Sequence, residues 1–267
     1  MMRRALLTLA LALFLAACED RVEVAPIVTP DVAPPTTLSQ EPVATTEPLP
    51  RAELQPAFGG LSTATLPANT TLVGMTVGDT VVYKTRTSAE PMVTIPHTTI
   101  LGTVTVLEVV AGPSDGWARV RLPVRPNGSE GWVRADDLML YVVDSRVEID
   151  LSDRTLTYYE SGEEVLTTTV AIGSQRNPTP VGEFFVTDKV TLADPGSPWG
   201  PQAIGISARS ETIMEYNGGD GIIGVHGTNR PGSIGNAASL GCVRVSNDVI
   251  TTLHEMVPIG TPVKISA

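Results

Sequence analysis

The chain has 267 residues and a formal net charge of −11 at pH 7. An acidic chain without clusters of Lys and Arg does not suit a protein that binds nucleic-acid phosphates, so we expect no nucleic-acid partner. Only 4% of the residues are aromatic, whereas Val, Thr, Gly and Pro are frequent. This bias favours short strands joined by turns over a helical bundle.

Residues 1–18 have the pattern of a secretory signal peptide: two arginines, an apolar run from Ala5 to Leu15, and small residues before Cys18. The apolar run is too short to span a membrane comfortably. Its end resembles a lipobox, which implies cleavage before Cys18 and lipidation of that thiol. The alternative is an ordinary signal peptide in which Cys18 is incidental. On the first interpretation the protein is exported and anchored by lipid in a membrane, facing the cell wall or the periplasm.

Residues 19–67 are rich in Pro, Thr, Ala and Glu and show no hydrophobic periodicity. We predict a disordered tether between the lipid and the folded part of the chain. At roughly 3 Å per residue, an extended chain of this length could reach on the order of 100 Å.

Residues 68–142 are predicted to form a small β domain. A strand is predicted over Leu101–Val110, followed by a turn at Gly112–Gly116. Trp117 and Trp132 each directly follow a glycine and begin a predicted strand. The pattern resembles a bacterial SH3-like barrel, in which the two tryptophans would lie either in the core or in a ligand groove.

In residues 143–267 the alternating pattern of short strands begins again. The predicted elements are a hairpin turn at Glu160–Glu163, a returning strand over Leu166–Ile172, a helix that starts at Ser246 or Asn247 and ends at Pro258, and a closing strand over Thr261–Ile265. The helix is predicted because apolar residues recur on one face at helical spacing. It is the only helix that the sequence predicts convincingly.

The residues that suggest chemistry lie between Ile222 and Asp248. An apolar strand ends at His226, a loop rich in Gly, Ser and Asn follows, and Cys242 comes sixteen positions later. A thiol needs a neighbouring base to become a nucleophile, and an imidazole can take that proton and later give it to a leaving amine. If Cys18 carries lipid, Cys242 is the one free thiol of the mature protein. The alternative is that Cys242 is a buried and inert residue.

Two segments resemble the L,D-transpeptidase (YkuD) family over about residues 144–266. The first combines His-Gly-Thr, which begins at His226, with Ser-x-Gly-Cys-Val-Arg-Val-x-Asn, which begins at Ser239. The second is the upstream segment Asn177–Phe184. The resemblance implies a mainly β protein, in which an SH3-like barrel precedes a mixed β-sandwich catalytic domain with one C-terminal helix. It implies Cys242 as the nucleophile and His226 as the general acid and base. The family's third catalytic position corresponds to Gly227, of which only the backbone carbonyl could orient the imidazole.

The residues around the thiol receive further roles. Backbone N–H groups at Gly241 and Cys242 are predicted to stabilise an oxyanion. The family often has His where this chain has Leu240, which contributes mainly backbone to the oxyanion region, so we expect altered substrate contacts and retained activity. Arg244 is interpreted as binding a substrate carboxylate or forming a structural salt bridge. Ser239 is interpreted as bonding near the thiol or capping a turn.

The resemblance also implies the reaction. Cys242 would accept an acyl group from a peptidoglycan stem peptide and transfer it to the side-chain amine of a second stem, which forms a 3→3 crosslink without a cofactor. A β-lactam of the carbapenem type is the expected inhibitor. The alternatives are an L,D-carboxypeptidase, an enzyme that attaches a protein to the wall, or a non-catalytic wall-binding lipoprotein. No metal is predicted because metal-ligand spacings are absent from the sequence, and His97 and His254 are predicted to be surface residues.

Overall fold

The computed structural model describes residues 61–216 and 219–267, all within one compact unit that spans Arg51–Ala267. The predicted signal peptide with Cys18, and the predicted tether up to residue 60, lie outside the described residues. Leu61 and Leu66 belong to the end of that tether and pack against the N-terminal hydrophobic core. The folded part therefore begins before residue 68.

The N-terminal half of the unit is an antiparallel β structure. Its strands are β1 (Thr71–Thr76), β2 (Thr80–Val82), β3 (Val93–Ile95), β4 (Val106–Ser114), β5 (Trp117–Arg121), β6 (Glu130–Arg134) and β7 (Leu138–Val143). Five of them form one sheet in the order β6-β5-β4-β1-β7, and β2 pairs with β3. We call the five-stranded sheet the N-terminal sheet. Its likeness to an SH3-like barrel stays a prediction.

The hairpin of β4 and β5 is shifted along the chain relative to the prediction. The strand predicted over Leu101–Val110 begins at Val106 and continues to Ser114, because residues 99–103 close a turn of their own between the amide of Thr99 and the carbonyl of Thr103. The turn before Trp117 is reduced to two residues, Asp115 and Gly116, both with positive φ. Paired positive φ values match the twist of the flanking strands.

The two tryptophans of the N-terminal sheet are not part of its core. Trp117 and Trp132 are half-buried, and neither belongs to the buried cluster beneath the sheet. The Arg134 guanidinium lies 4.0 Å from the ring centroid of Trp117, and that of Arg86 lies 5.2 Å from Trp132. The core placement was therefore wrong, and the groove alternative stays a prediction.

The C-terminal half is a mixed sheet with one helix. Its elements are β8 (Ser145–Asp150), β9 (Thr155–Glu160), β10 (Glu163–Thr169), β11 (Ile172–Gly173), β12 (Gly182–Thr191), β13 (Gln202–Arg209), β14 (Ile222–His226), β15 (Ala237–Ser239), β16 (Val243–Arg244), α1 (Asn247–Met256) and β17 (Pro262–Ser266). Eight strands form one sheet in the order β10-β9-β8-β17-β12-β13-β14-β16. We call it the C-terminal sheet. The mainly β class with one C-terminal helix is confirmed, and the sandwich consists of this sheet curled around a single core.

The hairpin and the helix of this half are confirmed. Ser161 and Gly162, both with positive φ, form the two-residue turn between β9 and β10. The Ser246 hydroxyl accepts a hydrogen bond from the Val249 amide and caps α1, which leaves Asn247 available for a different contact. Three-residue 3-10 turns occur at Thr63–Thr65, Ala135–Asp137 and Pro231–Ser233.

An apolar contact joins the two sheets. Val73, Val106 and Val143 of the N-terminal half form one buried cluster with Phe185 of β12. The Tyr141 hydroxyl adds a hydrogen bond of 2.9 Å to the Ile259 carbonyl. Burial of this kind of apolar surface holds the halves together irrespective of any polar contact elsewhere. Within the described residues, α1 is too short to cross a bilayer.

Candidate active site

Two adjacent strands place His226 and Cys242 at one cleft. β14 ends at His226 and pairs in parallel with β16, with Val225 opposite Val243 and His226 opposite Arg244. Continuing this register puts Cys242 beside Gly224, two residues from His226 along the sheet. Strand spacing and rise then separate the Cα atoms of Cys242 and His226 by about 8 Å, within reach of their side chains. Both side chains line the same cleft.

The His226 imidazole is oriented by the backbone that follows it. Its Nδ1 lies 2.6 Å from the Gly227 carbonyl oxygen and donates to it, because a carbonyl can only accept. Nε2 is therefore the basic nitrogen. The predicted orienting role of the Gly227 carbonyl agrees with this contact.

Burial keeps the imidazole neutral. His226 is only 4% exposed, and desolvation lowers its pKa from 6.5 to about 4. The charge of Arg244 lowers the pKa further, while the carbonyls of Gly227 and Trp199 act in the opposite direction. At neutral pH the residue is thus an uncharged base that can accept a proton.

The thiol lines the cleft and is also uncharged. Cys242 is half-buried, and desolvation raises its pKa above the ordinary value. The Gly224 backbone and Arg244 oppose that rise. The free site therefore holds a neutral thiol and a neutral imidazole instead of a thiolate–imidazolium pair. Proton transfer to His226 has to accompany attack by the sulfur.

Hydrogen bonds fix the turn before the thiol. The Ser239 hydroxyl accepts from the Gly241 amide at 3.0 Å and donates to the Cys242 carbonyl. Gly241 has a φ of +121°, which favours glycine over any residue with a Cβ. Because its amide already has this partner, the predicted oxyanion role of the Gly241 N–H is not supported by the geometry. The Cys242 N–H has no hydrogen bond within the described residues and is the better candidate.

The upstream motif supports the same turn. Thr179 is buried, and its hydroxyl donates to the Gly241 carbonyl and accepts from the Gly173 amide, both at 2.8 Å. The segment Asn177–Phe184 and the segment around Cys242 are therefore parts of one site, although some sixty residues separate them. Of the two interpretations of Ser239, the one in which it caps a turn agrees with these contacts.

Arg244 supplies a positive charge that has no protein partner among the described residues. Its side chain lines the cleft, its Nε has no hydrogen bond, and no carboxylate of the described residues lies within 4.0 Å of its guanidinium. The structural salt bridge is thus not found in the part of the chain that is described. A carboxylate of a bound substrate would satisfy this group.

One residue of the cleft, Trp199, was missed by sequence reasoning, and Asn247, which lies behind the cleft backbone, was assigned to the start of the helix. The Trp199 ring centroid lies 4.5 Å from that of His226, and the Asn247 Oδ1 accepts from the Thr228 amide at 2.8 Å. Trp199 covers the imidazole, and Asn247 holds the backbone beside Gly227 instead of capping the helix. The one available signal was a tryptophan within the Pro- and Gly-rich loop between β12 and β13.

Of the remaining candidates, Leu240 lines the cleft and the two other histidines do not. Leu240 is 51% exposed at the mouth of the cleft. His97 and His254 are half-buried and lie outside the cleft, bonded to Thr76 and Gln202. Among residues 61–216 and 219–267, no three His, Cys, Asp or Glu side chains converge as metal ligands would. The absence of a metal stays a prediction.

Sequence comparison places this site in a known family. A family model described as the L,D-transpeptidase catalytic domain, YkuD, matches residues 144–265. The YkuD protein of Bacillus subtilis, whose naming as an L,D-transpeptidase is provisional, is 31% identical over 126 residues, which cover 47% of this chain and 68% of that protein. The chain belongs to the YkuD family of L,D-transpeptidases.

Further matches agree with this assignment. The YkuD protein of Bacillus licheniformis, also provisionally named, is 36% identical over 121 residues, 45% of this chain and 65% of that protein. The chain thus spans about two thirds of the length of these relatives. The solved structure of the L,D-transpeptidase LdtMt1 in complex with imipenem is 17% identical over 61% of this chain and 92% of that chain, with a TM-score of 0.39. At that TM-score the family assignment rests on the sequence matches.

Proposed function

We propose that the protein is a peptidoglycan L,D-transpeptidase that forms 3→3 crosslinks through a thioester on Cys242. The observation that carries this proposal is the placement of a thiol beside β16 and a neutral imidazole at the end of β14, at one cleft with an arginine that has no ion-pair partner among the described residues. The family membership supplies the substrate class.

In the first half-reaction, the Cys242 sulfur attacks the carbonyl carbon between the diamino acid and the terminal D-residue of the donor stem. The thiol proton passes to His226 Nε2, and the developing oxyanion is stabilised by the Cys242 N–H. His226 then protonates the departing amine. The amide has become a thioester. The D-amino acid leaves as a free amine, which carries its original amide proton and the proton that came from the thiol.

In the second half-reaction, the side-chain amine of an acceptor stem attacks the thioester carbonyl. His226 takes the amine proton and returns it to the sulfur, which restores the thiol and the neutral imidazole. Each amide bond broken is replaced by an amide bond formed. No nucleotide or redox cofactor is therefore consumed.

Arg244 is proposed to hold the donor's terminal carboxylate. Its guanidinium lines the cleft with an unused Nε, and a charge-assisted pair with a carboxylate is stronger than a neutral hydrogen bond. Since Arg244 lies in β16 and follows Cys242 by two residues, a carboxylate bound there lies close to the attacked bond.

The direct test is incubation of the purified protein with tetrapeptide-bearing muropeptides, with products identified by mass. We expect dimers that have lost one D-amino acid, and no reaction with Cys242→Ala. Tripeptide monomers alone would instead indicate an L,D-carboxypeptidase, and acyl transfer only to a protein lysine would indicate wall attachment. Unchanged muropeptides, together with wall binding that is equal in wild type and Cys242→Ala, would contradict an enzymatic role and favour a wall-binding lipoprotein.

Inhibition by carbapenems is proposed on the same chemistry. The strained lactam carbonyl is an acyl donor, and ring opening by Cys242 would leave a covalent adduct. LdtMt1 was solved in complex with imipenem. We expect imipenem to add its mass once to the wild-type protein and not to Cys242→Ala, and equal labelling of both proteins would contradict the proposal.

Export and lipid anchoring remain proposals that rest on the sequence of residues 1–18. Metabolic labelling with a fatty-acid analogue should modify the wild type. Loss of labelling in Cys18→Ser, with retained export, is the expected result, whereas an unlabelled wild-type protein would favour the ordinary signal peptide.

A further inference from the structure

A loop of the N-terminal sheet is hydrogen-bonded to the end of β13. The Asn127 amide lies between β5 and β6, where its Nδ2 donates to the Arg209 carbonyl and its Oδ1 accepts from the Arg209 N–H, each at 2.8 Å. The side chain thus pairs with both backbone groups of one residue, as a neighbouring strand would. This contact sets where the chain leaves β13.

Arg125 extends the contact beyond Arg209. Its Nη2 donates to the Ser210 carbonyl at 3.1 Å and to the Ile213 carbonyl at 3.2 Å. Its Nη1 lies 3.9 Å from the Asp220 carboxylate, which also accepts from the Arg209 Nε at 2.7 Å. We call Arg125 and Asn127 together the clamp.

The segment held by the clamp is a wall of the catalytic cleft. Ser210, Ile213 and Tyr216 line the same cleft as His226 and Cys242. We call residues 210–216 the wall segment. The clamp itself does not line the cleft and makes no contact with either reacting side chain.

The wall segment is also connected to the imidazole through aromatic rings. The Tyr216 ring centroid lies 6.3 Å from that of Trp199, and Trp199 in turn covers His226 at 4.5 Å. Displacement of the wall segment would change the space between Tyr216 and Trp199, where a substrate approaching Cys242 has to fit. The reacting groups themselves lie on β14 and next to β16 and are fixed by contacts that do not involve the clamp.

The clamp is not needed to hold the two sheets together. The buried cluster of Val73, Val106, Val143 and Phe185 already joins them. Joining the two sheets is therefore a poor explanation for polar contacts that are concentrated on the residues where the chain leaves β13. Such contacts are well explained as a device that fixes the shape of the cleft.

We propose that Arg125 and Asn127 are positioning residues through which the N-terminal sheet sets the wall segment and thereby the fit of the acyl donor. Their effect is on substrate binding and leaves the reactivity of Cys242 unchanged. The proposal deepens the proposed function and rests on it for the identity of the substrate.

The test compares Asn127→Ala and Arg125→Ala with Arg119→Ala in the otherwise complete protein. Arg119 is a matched control because it forms a 2.8 Å ion pair with Glu130 within the N-terminal sheet and does not contact the wall segment. With a tetrapeptide donor, we expect each clamp variant to raise KM by about 5- to 10-fold, the effect of one or two lost hydrogen bonds, with kcat within about 3-fold of wild type. The control should change neither constant.

Two readouts do not depend on the proposed reaction. Hydrogen exchange of the wall segment should accelerate in the clamp variants, and the rate of Cys242 labelling by a bulky maleimide should change relative to that by iodoacetamide. Unchanged KM, exchange and labelling ratio in folded clamp variants would overturn the proposal. If wild type reacts with no stem peptide, the proposed function fails, while exchange and labelling still decide whether the clamp shapes the cleft.

A conservative variant covers the case in which the alanine variants do not fold. Asn127→Asp keeps an acceptor for the Arg209 N–H and loses the donor to the Arg209 carbonyl. We expect an intermediate rise in KM and intermediate exchange. Wild-type values for both would contradict the proposal.

Discussion

The two sides of the cleft are fixed by different kinds of contact. On the side of β14 and β16, the backbone around His226 and Cys242 is held by short, largely buried hydrogen bonds from Ser239, Thr179 and Asn247. The opposite side, residues 210–216, is held from another sheet by the partly exposed Arg125 together with Asn127. We therefore expect contacts near the reacting groups to affect kcat and contacts between the two sheets to affect KM.

The largest effect is expected on the chemical side. His226→Gln keeps a polar side chain of similar size but removes the general base, so acylation of Cys242 should slow by about 10²- to 10⁴-fold. The rate is measured by quenched-flow mass spectrometry with a tetrapeptide donor. KM for the tetrapeptide donor should change little. Acylation at the wild-type rate in this variant would show that His226 is not the base.

A smaller loss is expected from the residue that supports His226 indirectly. Asn247→Ala removes the bond to the Thr228 amide next to Gly227, and kcat should fall by about 5- to 10-fold, the worth of one partly buried hydrogen bond. Asn247→Asp keeps an acceptor and should restore most of kcat. Asp248→Ala is the control for helix destabilisation, and an equal fall in that variant would assign the effect to α1 as a whole.

The pH dependence reports on the neutral imidazole. Because the pKa of His226 is lowered to about 4, kcat/KM should persist down to about pH 4 and fall below it. Trp199→Ala exposes the ring to water and should move the acid limb up towards pH 6.5. An acid limb near pH 6.5 in wild type would contradict the neutral pair.

The free energy of unfolding should also depend on pH through the lowered pKa of His226. Between about pH 6.5 and pH 4 the unfolded chain binds a proton at His226 that the folded chain does not, so the free energy of unfolding falls as the pH falls through this window. The shift from 6.5 to about 4 corresponds to about 3 kcal/mol, lost in full below pH 4. His226→Gln should lack this part of the pH dependence in chemical denaturation.

The smallest effect is expected at the mouth of the cleft. Leu240 is exposed and has no hydrogen bond within the described residues, so Leu240→His should change kcat/KM by only a few-fold. The measurement is the same acylation assay. A large gain from a nearly inactive wild type would show that Leu240 disables this chain.

The parts of this site that could be predicted are those encoded by neighbouring residues. The hairpin at Ser161 and Gly162 and the helix capped by Ser246 follow from local patterns, and the pairing of His226 with Cys242 was predicted from the resemblance to the family signature. The imidazole bond to Gly227 was implied by the same resemblance, which places the third catalytic position directly after the histidine.

The parts that could not be predicted depend on contacts between distant residues. The bonds between Asn127 and Arg209 span 82 positions, and neither residue belongs to a motif. The Gly241 amide was expected to face substrate, but the hydroxyl of Ser239 reaches back to it, which only the folded turn shows. Trp117 and Trp132 were assigned either to the core or to a ligand groove, and arginine stacking makes a half-buried position favourable for both.

The most direct test of the account is the intact mass of the protein, quenched with acid during reaction with a tetrapeptide muropeptide. We expect a transient species heavier by the donor less its terminal D-amino acid, located on the peptide that contains Cys242 and absent from Cys242→Ala. Turnover without any adduct on Cys242, or an equal adduct on the alanine variant, would contradict it.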